Sequence, residues 1–296
     1  MPLTGEIQPT GLNGTKNVFL SAIRFATSID VTCPPFGDEL KTSAQEQIEF
    51  MIMDDGEEML LVASDEEVLL ETRVGMLNIY SSFERELASL LLHDDEVYVS
   101  GELSDDKIMA CVYDIEWMCE ILQKMNLMKD FVVEWIDISS KVLDIVEDKK
   151  LAYVMWGLKS KLIVVTTKVL EAVGYGNVIV PAHNRLQLLK VWLPFIRKMK
   201  PLLDSFGGED ENARCLIKMD EDLCQSIEGA TTSLILALPS NDQAELFMNW
   251  MNTRQYDTYP DLTEAFEMWC YRTKSAKRRF DASADDQCIT ASTAGI

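Results

Sequence analysis

The sequence predicts an all-α protein built as an irregular helical repeat. Late in the chain, Phe and Trp recur three residues apart, as Phe247 with Trp250 and Phe266 with Trp269. That spacing places both rings of a pair on one side of an α-helix, where they can enter a common core. Helical periodicity also dominates elsewhere, and residues 96–100 are the only plausible strand. These observations favour a framework of packed helices.

The spacing of the tryptophans indicates how the helices are arranged. Trp117 and Trp135 are 18 residues apart, and the tryptophans of the two late pairs are 19 residues apart. Such a distance fits one helix plus one loop in a stack of antiparallel helices. The period is not sustained in the middle, where Trp156 and Trp192 are 36 residues apart. We therefore predict an α-solenoid-like stack of irregular repeats, with a compact orthogonal bundle as the alternative.

Helix start and stop signals divide the first half of the chain. Ser64, with Glu67 three residues later, forms a capping box that opens a long amphipathic helix. The acidic stretch 94–106 predicts a loop, and Asn126 is a predicted N-cap inside a helical hairpin. The predicted helices of this half cover 17–29, 37–53, 64–93, 106–124, 127–137 and 139–146.

The second half shows the same kinds of signal. Gly174 and Gly176 predict a helix end, because glycine tolerates left-handed backbone. Pro194 predicts a kink or a break in the next helix, which Asn184 would cap. Two further capping boxes, Ser240 with Gln243 and Asp261 with Glu264, open the Trp250 and Trp269 helices. The other predicted helices cover 149–173, 184–197 and 220–238.

Composition and the helix start and stop signals together predict four regions. Residues 1–15 are predicted to form a disordered N-terminus, and residues 16–104 an acidic helical region. Residues 105–280 are predicted to form a C-terminal helical domain, and a small, polar, disordered tail is predicted to follow at 281–296.

The charge of the chain excludes some classes of partner. A net charge of −22 repels a phosphate backbone, so we expect no nucleic-acid binding by the surface as a whole. Acidic runs concentrate between residues 54 and 106, where they predict solvated loops or, alternatively, an acidic docking surface. Basic residues gather at 197–200 and at 274–279. The second cluster fits a helix C-terminus or, alternatively, a nuclear import signal.

Membrane insertion and disulfide frameworks are not expected. No apolar run is long enough to cross a bilayer, and the first residues lack the pattern of a secretory signal. We therefore expect a protein of the cytoplasm, the nucleus or both. The 7 cysteines never form a Cys-x-x-Cys pair, so they predict reduced, mostly buried thiols and no metal site.

The sequence contains no recognisable catalytic constellation. His93 and His183 are the two histidines, and neither lies in a catalytic context. The glycine clusters at 174–176 and 207–208 follow predicted helices, whereas a phosphate-binding loop should follow a strand. We expect no enzyme activity and no cofactor, and assign no catalytic, cofactor-binding or metal-ligating residues. Binding residues are also left unassigned, because the aromatic residues are predicted to be interior.

Four short motifs occur along the chain in the order Trp-x-x-x-Ile-Leu, Gly-x-Gly-x-x-x-x-Pro, Leu-Pro-x-x-x-Gln and Ala-Phe-Glu-x-Trp. Together they resemble the C-terminal helical region of plant BTB/POZ domain-containing proteins. The resemblance covers about 105–280 and extends to near residue 20 for a closer subgroup. The motifs lie at 117–122, 174–181, 238–243 and 265–269.

The resemblance implies a fold and a function. It implies an ankyrin-like stack of antiparallel helices in a substrate-recruiting adaptor of a cullin-based ubiquitin ligase. Residues 1–110 show helical patterns instead of the strands expected of a BTB/POZ domain, so we expect cullin binding only where such a domain is supplied upstream. The expected partners are proteins, including ubiquitin ligase substrates. The alternative is a helical scaffold that competes for such substrates without binding cullin.

Overall fold

All regular elements that the structure describes are α-helices, which confirms the predicted all-α class. The computed structural model describes residues 12–28, 37–53, 57–91, 102–149, 151, 155–205, 219–252, 259–275 and 277. The helices are α1 (Leu12–Ala26), α2 (Gly37–Ile52), α3 (Glu57–Ala63), α4 (Glu66–Leu90), α5 (Glu102–Lys124), α6 (Met128–Val146), α7 (Trp156–Gly174), α8 (Ala182–Ser205), α9 (Glu221–Leu236), α10 (Ser240–Asn252) and α11 (263–275).

The chain divides into two compact units, Met1–Val165 and Thr166–Ile296. The four-region division drawn from the sequence stays a prediction, since its disordered ends lie almost wholly outside the described residues. Several other predicted features also lie outside the described residues. They are the strand at 96–100, the acidic runs at 54–56 and 94–96, His93, the glycines at 207–208 and the basic residues 278–279.

In the first unit, α4 is the central helix and packs against α1, α3, α5 and α6. Its buried face meets an aromatic cluster, in which Tyr80 lies 5.5 Å from Phe131 and Phe131 stacks on Trp135 at 6.3 Å between ring centroids. The Tyr80 hydroxyl donates a hydrogen bond to the Phe131 carbonyl oxygen at 3.2 Å. Because complete burial penalises the charged form, the pKa of Tyr80 lies well above its ordinary value. The predicted pairing of Phe131 and Trp135 on one helix face is confirmed.

The start of α4 differs by one residue from the predicted capping box. Asp65 is the N-cap, and its carboxylate accepts hydrogen bonds from the backbone N–H groups of Glu67 and Val68. Ser64 instead ends the preceding turn, where its hydroxyl donates to the carbonyl oxygens of Leu60 and Leu61. The prediction of Ser64 as the cap was therefore wrong, because two adjacent side chains were both competent caps and α3 uses the first.

Asp65 also joins α4 to α1 through an ion pair. The Lys16 ammonium lies 2.8 Å from the Asp65 carboxylate and 2.9 Å from that of Glu67. The hydrogen bond from Lys16 is the main reason that the pKa of Asp65 lies below its ordinary value, and the two backbone N–H groups lower it further. A lowered carboxyl pKa means that the folded state binds this proton less well than the unfolded state does.

Asp65→Asn is expected to reduce the acid sensitivity of the protein. The contribution of Asp65 is present above its unfolded pKa and is lost as the pH falls through its lower folded pKa. Thermal midpoints of both proteins, measured between about pH 5 and about pH 3, should fall less steeply for Asp65→Asn than for the wild type. Parallel curves would mean that the Lys16 contact contributes nothing to folding.

The α5–α6 hairpin differs from the prediction in two ways. Asn126 adopts a left-handed backbone with φ 58° in the connecting turn, and Leu127 occupies the N-cap position without a side-chain hydrogen bond. Asn126 therefore serves the turn instead of capping α6, which its tolerance of positive φ explains. Residues 127–137 and 139–146 were predicted as two helices, but α6 is continuous from Met128 to Val146. Ser139 causes no break, because its hydroxyl donates back to the Trp135 carbonyl oxygen at 2.5 Å.

The helix predicted from residue 149 begins later. α7 starts at Trp156, directly after Met155, whose φ is 58°. Lys159 lies buried on this first turn and donates a hydrogen bond to the Leu151 carbonyl oxygen at 2.6 Å. The side chain of Lys159 thereby binds Leu151, a residue that the prediction had placed inside the helix.

In the second unit, the predicted end of α7 is confirmed. Gly174 is the last helical residue, and Gly176 follows with φ 82°. A Cβ atom at Gly174 would lie 2.7 Å from the Ala230 carbonyl oxygen, so glycine is required for α9 to approach this closely. The connector 177–181 contains no strand, as predicted.

Helix α8 differs from the prediction in its length and in the residue at which it starts. It runs from Ala182 to Ser205 without interruption at Pro194 or Pro201. Asn184 lies inside the first turn, where its Oδ1 atom is buried without a hydrogen-bond partner, so it is not the N-cap. The Pro181 carbonyl oxygen accepts from the Arg185 N–H at 3.2 Å, which places the helix start two residues earlier.

The caps of the last three helices differ in kind. Asp220 caps α9, since its carboxylate accepts from the Leu223 N–H at 2.9 Å. Gln243 does not complete a box with Ser240, because its amide donates to the carbonyl oxygens of Leu236 and Leu238 at the end of α9. Asp261 accepts from the Thr263 N–H at 2.9 Å at the start of α11.

Candidate protein-binding groove

An open groove lies between α8 and α10 in the second unit. Its volume is about 590 Å³, which is large enough for several side chains of a bound segment. We call it the α8–α10 groove. Its lining residues are Leu189, Lys190, Leu193, Pro194, Arg197 and Lys198 from α8, and Leu246, Asn249, Trp250 and Asn252 from α10.

Helical periodicity explains why these residues share one groove. On α8 the lining residues form adjacent pairs that recur every four positions, from 189–190 through 193–194 to 197–198. On α10 they recur at three- and four-residue steps from 246 to 250. Residues at these steps lie on one helix face, so each helix contributes a single continuous wall.

The floor of the groove is apolar and firmly held. Leu193, Leu246 and Trp250 each expose less than a tenth of their surface. The Trp250 indole N–H donates to the Pro260 carbonyl oxygen at 3.1 Å, which fixes the ring against the segment before α11. Behind it, Phe247 lies 5.4 Å from Phe266 between ring centroids. The floor is therefore preorganised by the aromatic core of the unit.

The two aromatic pairs of this core are not equally buried. Phe247 and Trp250 are buried as predicted, whereas Phe266 and Trp269 are only half-buried. The Trp269 indole N–H reaches the Ser240 hydroxyl at 3.1 Å and is anchored there. The outer pair thus covers the inner pair instead of lying wholly inside.

The rim of the groove is basic. Lys190 lies 2.7 Å from the Glu245 carboxylate across the two helices, and the Arg197 guanidinium donates to the Tyr259 carbonyl oxygen at 3.2 Å. Lys198 is exposed beside them. Of the described residues, those that line the groove include these three cations and no acid. Over its whole length α8 carries five basic residues and one acid, in a chain whose net charge is −22.

Pro194 adds a backbone feature to the same wall. Proline has no N–H, so the Lys190 carbonyl oxygen receives no hydrogen bond from position 194 of the helix. Both residues line the groove. The Lys190 carbonyl oxygen therefore lies outside the regular hydrogen-bond pattern of α8 at this wall of the groove.

The described residues contain no group of three or more His, Cys, Asp or Glu side chains that could hold a metal ion. Burial raises the pKa of the Cys111 and Cys224 thiols, which makes their thiolates scarcer at neutral pH. His183 is exposed at the start of α8. None of the four described cysteines forms a disulfide: Cys111, Cys119, Cys224 and Cys270.

No binding residues were predicted from the sequence, and the α8–α10 groove was not anticipated. The signal that was available is the basic cluster at Arg197 and Lys198, which was noted only as a local concentration of charge. Its position opposite Trp250 could not be read from the sequence, because about fifty residues and a helix separate the two walls.

Comparison with known proteins identifies the family. The model of the family described as "BTB/POZ Ankyrin-like repeat" matches residues 85–276. The chain belongs to this family. The match includes both walls of the α8–α10 groove, and it confirms the resemblance on which the ankyrin-like fold was predicted.

Relatives that share this region are BTB/POZ domain-containing proteins of Arabidopsis thaliana. The protein named At3g05675 is 44% identical over 282 residues, covering 94% of this chain and 62% of its own length. The protein named At3g50780 is 26% identical, covering 73% of this chain and 38% of its own length. This chain therefore spans less than two thirds of either relative. No solved structure matches the chain significantly.

Among the described residues, none of the helices has the length and apolar character needed to span a bilayer. Membership of the BTB/POZ ankyrin-like repeat family supports a role in protein interaction.

Proposed function

We propose that this chain is a non-enzymatic protein-interaction module that recruits substrates to a cullin-based ubiquitin ligase. The observation that carries the proposal is the α8–α10 groove, inside a region that belongs to the BTB/POZ ankyrin-like repeat family. In this proposal the groove binds the substrate, and a BTB/POZ domain supplies the contact with cullin. We further propose that the protein acts in the cytoplasm, the nucleus or both.

The physical basis is the combination of a rigid apolar floor with a charged rim. Buried apolar area supplies most of the free energy of association, and charges at the edge select partners and speed their encounter. The Trp250 side chain is held by a hydrogen bond to Pro260, so little ordering is required when a partner binds. Tryptophan and arginine, both present here, are the residue types most often found at energetic centres of interfaces.

The proposal is tested by fusing the chain behind the BTB/POZ domain of the Arabidopsis relative At3g05675 and expressing the fusion in plant cells. We expect the fusion to co-purify with a cullin and to increase ubiquitination of the proteins it captures. The unfused chain should capture the same proteins without cullin. Asn252→Trp, which places a large ring at the groove, should reduce capture and leave cullin binding unchanged.

Two outcomes of this experiment count against the proposal. If the fusion binds cullin but ubiquitination of every captured protein stays at the level of the unfused chain, the adaptor role is wrong. If overexpression of the unfused chain stabilises the captured proteins while the fusion does not lower them, the competing-scaffold alternative replaces it.

A further inference from the structure

We propose that the occupant of the α8–α10 groove is an acidic amphipathic helix of a partner protein. This inference rests on the proposed function, because it names the chemistry of the partner that the interaction module would recognise. It depends on three features of the groove, which are the charge of its rim, the composition of its floor and the direction of its walls.

The charge of the rim is unusual for this protein. The chain carries 49 acidic and 27 basic residues, so an average surface would present acids in excess. Among the described residues, the charged side chains that line the groove are instead Lys190, Arg197 and Lys198, of which Lys190 forms an ion pair with Glu245 beside the groove. A local positive potential on an otherwise acidic protein attracts an acidic segment and repels basic ones.

The floor selects a segment that also carries apolar side chains. Leu193, Leu246 and Trp250 give the groove a buried apolar floor. A purely acidic peptide would leave this surface unfilled and would gain only screened charge interactions. Burial of two or three leucine-sized side chains adds the non-electrostatic part of the affinity.

The direction of the walls favours a helix as the bound form. The lining positions of α8 advance by about one helical turn at each step, from Lys190 to Pro194 to Lys198. An amphipathic helix presents apolar anchors at the same spacing, so its side chains can alternate with those of α8 along the groove. Acids on its flanks then lie within reach of the lysines.

The probe for this inference is a fluorescein-labelled peptide of about 16 residues, with Leu at helical positions i, i+4, i+7 and i+11 and Glu on both flanks. Fluorescence anisotropy measures its affinity for the full chain. We expect saturable binding that weakens as NaCl is raised from about 0.05 M to about 0.3 M. Peptides with Lys in place of Glu, or with Asn in place of Leu, should bind at least about tenfold more weakly.

Variants of the chain separate the groove from the general surface. Lys198→Glu should weaken binding of the acidic peptide by about tenfold, and Lys198→Arg should retain wild-type affinity. The matched control is Lys129→Glu, which makes the same charge change at an exposed position of α6 and should have no effect. Thermal midpoints of all three variants report whether any loss of binding reflects loss of folding.

The following outcomes would overturn the inference. Equal weakening by Lys129→Glu would mean that binding follows net charge alone. Tight binding of the Lys peptide, or no binding of the Glu peptide, would exclude an acidic partner. Sedimentation showing a dimer that Asn252→Trp dissociates would identify a second copy of this chain as the occupant. If these tests fail while captured proteins are still ubiquitinated, the partner chemistry is wrong and the proposed function stands.

Discussion

Trp135→Ala is expected to lower the free energy of unfolding by about 3 to 5 kcal/mol, the largest effect of any single change considered. Trp135 has no exposed surface and stacks on Phe131, which in turn contacts Tyr80. Alanine would leave a cavity in the middle of the first unit, between α4 and α6. Because the ring stacks on Phe131, which itself packs against Tyr80, neighbouring residues cannot collapse to fill the space without moving helices.

Urea unfolding followed by circular dichroism measures this loss, and hydrogen exchange of α6 amides locates it. The matched control is Tyr271→Ala, since Tyr271 is 75% exposed on α11 and should change stability by less than about 0.5 kcal/mol. Similar losses for the two variants would mean that Trp135 is not the packing centre of the first unit.

Glu116→Leu is expected to destabilise the first unit by about 3 kcal/mol, the lower end of the range for breaking a buried ion pair, because Glu116 retains some contact with water. The Lys161 ammonium pairs with the Glu116 carboxylate and also lies 4.7 Å from the centroid of the Tyr113 ring. The Lys161 side chain is 10% exposed, so removal of the carboxylate leaves a poorly solvated charge. The loss arises from that uncompensated charge more than from the missing attraction.

The double variant Glu116→Leu, Lys161→Met tests this explanation directly. Replacement of both charges by apolar side chains removes the unpaired ammonium, so stability should return to within about 1 kcal/mol of the wild type. The surface pair of Lys141 and Glu84 is the control, and Glu84→Leu should change the free energy of unfolding by less than about 0.5 kcal/mol. A double variant no more stable than Glu116→Leu would contradict the explanation that the unpaired ammonium causes the loss.

Much of the fold followed from helical periodicity. The spacing of Phe131 and Trp135, and of Phe247 and Trp250, correctly placed each pair on a buried face, because burial of large rings dominates the energetics of a helix. Glycines at 174 and 176 correctly ended α7, because their requirement is local to the backbone. These signals lie within one or two turns, so the sequence contains them completely.

The errors occurred where two local solutions were nearly equal in energy. Ser64 and Asp65 can both cap a helix, and the choice depends on Lys16, which contacts Asp65 from α1. Ser240 was predicted to cap α10, but its hydroxyl receives the Trp269 indole N–H from α11. In each case a residue distant in sequence decides between alternatives that differ by about 1 kcal/mol.

The candidate groove shows the same limit more strongly. The apolar residues of α8 and α10 were correctly assigned to helix faces, yet a groove exists only when two faces are placed opposite each other. Leu193 and Leu246 therefore read as ordinary core positions in the sequence. Family membership narrowed the function to protein interaction, and the geometry then supplied the surface on which the proposal rests.

Hydrogen–deuterium exchange of the wild-type chain, with and without a protein that it captures from plant cells, tests the central claim most directly. The account predicts that binding slows exchange in α8 and α10, around residues 189–198 and 246–252, while α4 and α6 of the first unit exchange as before. Protection confined to the first unit, with α8 and α10 unchanged, would contradict it.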